Sequence, residues 1–186
     1  MKFLLPIFCF LSISMMSQNL LIKNPTFKGQ FYGWDYGVHS KRKIERPIAK
    51  YEAISPGQDD NAALAVNIER SFARGQAHQV YLIQDRIKLK KNKNYKVTFF
   101  VKSTVPDDKI YVSVGSGSAA NGSTLRREKM SFKGDGTWKK LTFKFTAKNW
   151  NKKKIVDFKN AAVFFGFNFR EGEYQIDNIK VELDKK

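Results

Sequence analysis

"NYKVTFFVKS", residues 94–103, is the stretch on which the fold turns. Val97, Phe99 and Val101 recur at every second position, the spacing that lines one face of a β-strand. The same period appears elsewhere. "AALAVNIE" sets Leu64, Val66 and Ile68 against Ala65 and Asn67, and "KIYVSVG" sets Ile110, Val112 and Val114 against Tyr111 and Ser113. "WKKLTFKFTA" places Leu141, Phe143 and Phe145 inward, with Thr142, Lys144 and Thr146 outward. Between these runs lie "PDDK", "KGDGTW" and "REGEY", which hold the Gly, Asp and Pro that chain reversals need. No helical period competes with this one. The pattern predicts an all-β sandwich or barrel, and about ten candidate antiparallel strands fit a single β-sandwich jelly roll.

Length and composition bound the rest. A chain of 186 residues can bury one real core, and no composition shift marks a second domain. The opening "MKFLLPIFCFLSISMMSQ" has a basic start at Lys2, an apolar run from Phe3 and small residues at Ser14 and Ser17. It reads as an export signal spanning residues 1–17, with the folded domain over residues 18–186. The apolar run is shorter than a membrane span, so no membrane insertion is expected. Cys9, the single cysteine, falls inside that run, so the mature domain would fold without a disulfide. The expected destination is secreted, periplasmic or cell-surface.

The chain carries 34 Lys+Arg against 17 Asp+Glu, a formal net charge of +17. In a cell such a balance points first to nucleic acid. For an exported protein the available polyanions are acidic polysaccharides and anionic surfaces, and no nucleic-acid partner is expected. Net charge gives long-range attraction and not a site. The arginines say more, because their forked donors match carboxylate and sulfate groups.

Particular residues carry a family likeness. "NLLIKNPTFKGQFYGWDY" (19–36) resembles the opening of carbohydrate-binding modules of families four, nine and twenty-two. "HQVYLIQDRIKLKKNKNYKVTFFVKS" (78–103) is similar to their strand, turn, aromatic and strand order, and "WKKLTFKFTA" and "YQIDNIKVEL" resemble their closing strands. The resemblance implies a jelly roll that binds polysaccharide along a groove without cleaving it; the domain is expected to be a monomer. It also implies a structural calcium held near Asp59 and Asp177. Lys28 stands where the family carries an acidic residue, which removes one expected ligand.

The same resemblance places recognition on the strand that begins at His78, on a middle loop and on a late strand. The residues so marked are His78 and Tyr81; Arg126 and Arg127 from "GSGSAANGSTLRRE"; and Phe164 and Asn168 from "AAVFFGFNF". Arg70 and Arg74 in "ERSFARGQ" form a second basic segment that would flank the groove. Trp150, set among lysines in "AKNWNKKK", suits either sugar stacking or a loop plug. Trp34 is expected to pack at the core or its rim, and Trp138 to cover the core.

The leading function is therefore an exported, non-catalytic module that binds an acidic glycan, uronate-rich or sulfated. A lyase would need a base and a group to neutralise the uronate, which only His78, Tyr81 and Arg74 could supply. A hydrolase would need two spaced carboxylates, and the relevant runs offer Glu69 and Asp85. A cell-surface adhesion module using the same fold to hold protein is the third reading.

Overall fold

The computed structural model describes residues 21–40, 46–59, 61–71, 78–116, 124–149, 155–167 and 170–185. Ten strands follow in order: β1 (Asp35–Ser40), β2 (Ile48–Ile54), β3 (Ala63–Arg70), β4 (His78–Ile87), β5 (Asn94–Ser103), β6 (Asp108–Gly115), β7 (Thr124–Phe132), β8 (Lys139–Thr146), β9 (Ala161–Gly166) and β10 (Gly172–Leu183). They form two five-stranded sheets, β1-β4-β9-β6-β7 and β2-β3-β10-β5-β8, with every pairing antiparallel. No helix among the described residues is long and apolar enough to cross a membrane. The protein is an all-β sandwich of the jelly-roll kind, as the alternation predicts.

The core lies between the sheets and is built from the inward half of each alternating run. Val97, Phe99 and Val101 of β5 are fully buried, as are Leu64 and Val66 of β3 and Val80 and Leu82 of β4. Ile110 and Val112 of β6 and Val163 and Phe165 of β9 meet them from the other sheet. Each such side chain contributes about 1.5–3 kcal/mol by leaving water. In β10 the register against β5 slips between Asp177 and Lys180, and Asn178 takes a φ of 50° there. This bulge resets the in–out parity, so Ile176 and Ile179, an odd step apart, both face the core.

The turns of residues 21–34 cap one end of the sandwich. Phe27 and Trp34 pack with ring centroids 5.6 Å apart, and Trp34 reaches within 6.3 Å of Phe165. The Trp34 indole N–H donates to the Asn24 carbonyl at 3.0 Å, so burying the ring leaves no donor unpaired. Trp34 is a packing residue, as expected. Trp138 is not. It precedes β8 on the side of Lys140 and Thr142, half-buried, with Lys102 Nζ 5.8 Å from its ring centroid. The alternation that sends Leu141 and Phe143 inward sends Trp138 to the outside of the second sheet.

Candidate functional site

The outer face of the first sheet gathers the largest set of chemistry-bearing side chains. Because Val80 and Leu82 point into the core, Tyr81 and Ile83 point out. The same parity turns Phe164 and Gly166 of β9, and Tyr111 and Ser113 of β6, to the outside. Strand register then aligns them in rows. One row runs Gly37, Tyr81, Gly166, Tyr111, Lys129, and the next runs Asp35, Ile83, Phe164, Ser113, Arg127. Five strands spaced about 4.8 Å apart make each row about 19 Å long. The face is polarised: Asp35 lies at the β1 edge, Arg127 and Lys129 at the β7 edge.

Local geometry shows how the rows are held. Tyr81 stacks on Phe164 with centroids 5.8 Å apart and planes 24° from parallel. A Cβ at Gly37 would come within 3.2 Å of the Tyr81 hydroxyl oxygen, so the glycine lets that ring lie across β1. From the second sheet, the Tyr51 hydroxyl enters the β1–β4 pairing. It accepts the Tyr81 backbone N–H at 3.1 Å and sits 2.6 Å from the Gly37 carbonyl oxygen. Burial raises the Tyr51 phenol far above its ordinary value, keeping it a neutral donor. Burial, with the Asp35 charge, also raises the Tyr81 phenol. Lys129 Nζ lies 5.9 Å from the Tyr111 ring centroid, and the buried Gly166 separates Tyr81 from Tyr111 along the row. Phe164 and Ser113 are nearly covered, at 6% exposure each, which leaves the two tyrosines as the accessible rings.

Of the residues marked from sequence, the fold brings Tyr81, Phe164 and Arg127 onto this face. Arg126 and Arg127 lie on strand β7 and not in a loop, and adjacent strand residues point to opposite sides. Arg126 therefore parts from Arg127. It pairs with Glu128 at 3.5 Å and lines a cavity of about 450 Å³ with Asn94, Lys144, Thr146 and Asp184. Arg70 ends β3 in the other sheet, where its guanidinium donates to the Arg46 carbonyl at 3.4 Å. Arg74, Trp150 and Asn168 lie outside the described residues, as does the side chain of His78, whose backbone opens β4 opposite Ser40. Sequence reading placed Tyr111 and Ser113 on the outward side of their run without giving them a role. Lys129 it missed, since "TLRREKMSF" has no alternation to mark which side is wet.

Asp59 and Asp177 do come together, through Asn178. The Asn178 amide donates to Gln58 Oε1 at 2.7 Å and to Asp59 Oδ2 at 2.9 Å. Asp177, fully buried, accepts backbone N–H groups from Gln58 at 2.8 Å and Asn178 at 2.6 Å. Burial, with Asp59 adding its charge, still holds the Asp177 carboxyl above its usual value. Calcium takes six to eight oxygen ligands. Here an N–H donor joins the Gln58 and Asp59 oxygens, and Lys28 is exposed. Among the described residues no three His, Cys, Asp or Glu side chains gather as a metal site. As placed, these groups form a hydrogen-bonded clasp between the β2–β3 connection and β10.

With this geometry in hand, comparison with known proteins places the chain. A family model described as a carbohydrate binding domain, of families four and nine, matches residues 19–160. The chain belongs to this carbohydrate-binding family. No curated protein matches the sequence. Among solved structures, a CBM4 domain superposes with a TM-score of 0.60 at 14% identity, covering 88% of this chain and 99% of that one. TmCBM61, solved with β-1,4-galactotriose, gives 0.57 at 20% identity, covering 89% and 99%. The enzymatically active domain of bacteriophage CBA120 tailspike protein 4 gives 0.60 at 10% identity, the match covering 88% of this chain and 21% of that one. At these identities the likeness is one of fold.

Proposed function

We propose that this domain binds an acidic polysaccharide across the outer face of its first sheet, without cleaving it, after export removes residues 1–17. The observation that carries the reading is the aligned row Gly37–Tyr81–Gly166–Tyr111–Lys129, with Arg127 ending the row beside it. Tyr81 and Tyr111 offer ring faces to the C–H side of sugar rings. Arg127 and Lys129 receive carboxylate or sulfate groups at the β7 edge, while Asp35 disfavours anions at the β1 edge and so gives the chain a direction. A charge-assisted hydrogen bond contributes about 1.5–3 kcal/mol, less the cost of ordering long side chains. The proposal carries no calcium, because the Asp59–Asp177 clasp is closed by an amide donor.

Calorimetric titration with polygalacturonate, a sulfated glycan and a neutral β-glucan tests the reading. An acidic polymer is expected to bind tightest, and Arg127→Ala to weaken it about 10-fold, within the range of one lost charged contact. Tight, salt-insensitive binding to the neutral glucan with no effect of Arg127→Ala would remove the acidic-ligand claim.

A further inference from the structure

The second sheet turns a different surface to solvent. Its inward residues are those of the core, so β5 presents Lys96, Thr98, Phe100 and Lys102 outward. β8 adds Lys140, Thr142 and Lys144, and β10 adds Gln175 and Lys180. Register sets Phe100 beside Lys140, Thr98 between Thr142 and Lys180, and Lys102 beside Gln175. Trp138 lies at the same end, under Lys102.

Two of these lysines are neutralised: Lys96 by Glu182 and Lys144 by Asp184, each at 3.0 Å. Lys140 and Lys180 are exposed and have no carboxylate partner among the described residues. The patch thus combines half-exposed Phe100 and Trp138, the exposed Thr142 hydroxyl and three lysines, Lys102, Lys140 and Lys180, that have no acid partner among the described residues. Aromatic faces flanked by cations and a hydroxyl match a ligand that is ring-shaped, hydroxylated and negatively charged. It is the chemistry of the first face, assembled on the opposite side of the sandwich from unrelated residues.

We propose that the outer face of β10, β5 and β8 is a second binding surface for an acidic polysaccharide, centred on Trp138, Phe100, Lys140 and Lys180. The ligand class rests on the function proposed above; the surface itself does not. The two faces point away from one another with the core between them. One domain therefore holds two chains at once and cross-links a uronate polymer.

Titration with a short uronate oligomer, tetragalacturonate, reads the number of sites, and turbidity with polygalacturonate reads cross-linking. Two sites are expected in the unaltered chain. Lys140→Glu with Lys180→Glu, both at exposed positions, is expected to leave one site and abolish turbidity, and Trp138→Ala alone is expected to weaken the second-surface site at least 5-fold. Arg127→Ala with Tyr111→Ala is expected to remove the other site only. One site in the unaltered chain, untouched by the lysine reversals, would overturn the second surface and leave the first standing. If the Arg127/Tyr111 pair changes nothing while the lysine reversals abolish binding, the first face falls and the second survives. If the lysine face holds phosphatidylglycerol vesicles but not tetragalacturonate, the polysaccharide is the wrong occupant and the inference fails.

Discussion

Tyr51 is the residue on which the first face depends most without belonging to it. Its hydroxyl stands in the β1–β4 ladder, accepting the Tyr81 N–H and facing the Gly37 carbonyl. Removing it leaves a part-buried backbone donor and acceptor without their partner, a loss of about 1–3 kcal/mol. Tyr51→Phe is therefore expected to lower unfolding free energy by that amount in urea, and to loosen Tyr81 enough to weaken glycan binding. A loss below about 0.5 kcal/mol, the level of an ordinary surface change, would show that water fills the place at no cost. None of this was legible in the sequence. Tyr51 sits in "AKYEAI" as one aromatic among polar neighbours, and its partners lie 14 and 30 positions away along the chain.

At the scale of elements, the reading succeeded where a strand has one wet side and one dry side. β5, β6 and β8 announce themselves by period two, and the outward place of Tyr81 on β4 follows from the same period. β7 is an edge strand whose middle is exposed from Arg126 to Lys129, so burial imposes no alternation and the stretch reads as a loop. That is why Arg126 and Arg127 looked like one pair when the strand divides them. Trp138 was misplaced for another reason: it is in step with the outward Lys140 and Thr142 and not with Leu141 and Phe143. The β10 bulge was hidden too, and with it the clasp of Asp177, Asn178, Gln58 and Asp59. The Asn178 amide donates to both Gln58 and Asp59 in this clasp, which gives a sharp expectation. Thermal unfolding with about 2 mM calcium chloride or with excess chelator should give the same midpoint. A rise of several degrees in calcium would mean a bound ion, since a ligand specific to the folded state at 100 times its dissociation constant adds about 2.7 kcal/mol.

The whole molecule carries a formal net charge of +17, and that excess acts in opposite directions on folding and on binding. In the free chain, like charges repel and oppose compaction, so screening them favours the folded state. In the complex, lysines and arginines meet an anionic polymer, so the same screening weakens attraction. Raising sodium chloride from about 20 mM to about 300 mM shortens the Debye length from roughly 20 Å to below 10 Å. The free protein's melting midpoint is expected to rise by a few degrees over that range, while affinity for polygalacturonate falls at least 10-fold. Ion pairs such as Lys96–Glu182 and Lys144–Asp184 pull the first effect the other way, but exposed pairs contribute only about 0–1 kcal/mol each. A falling midpoint would mean that these pairs outweigh the net repulsion. An affinity indifferent to salt would mean that aromatic stacking alone holds the glycan and that the basic excess serves another purpose. The two measurements share one protein and one variable, so opposite slopes locate the charge at the binding surfaces and not in the stability of the fold.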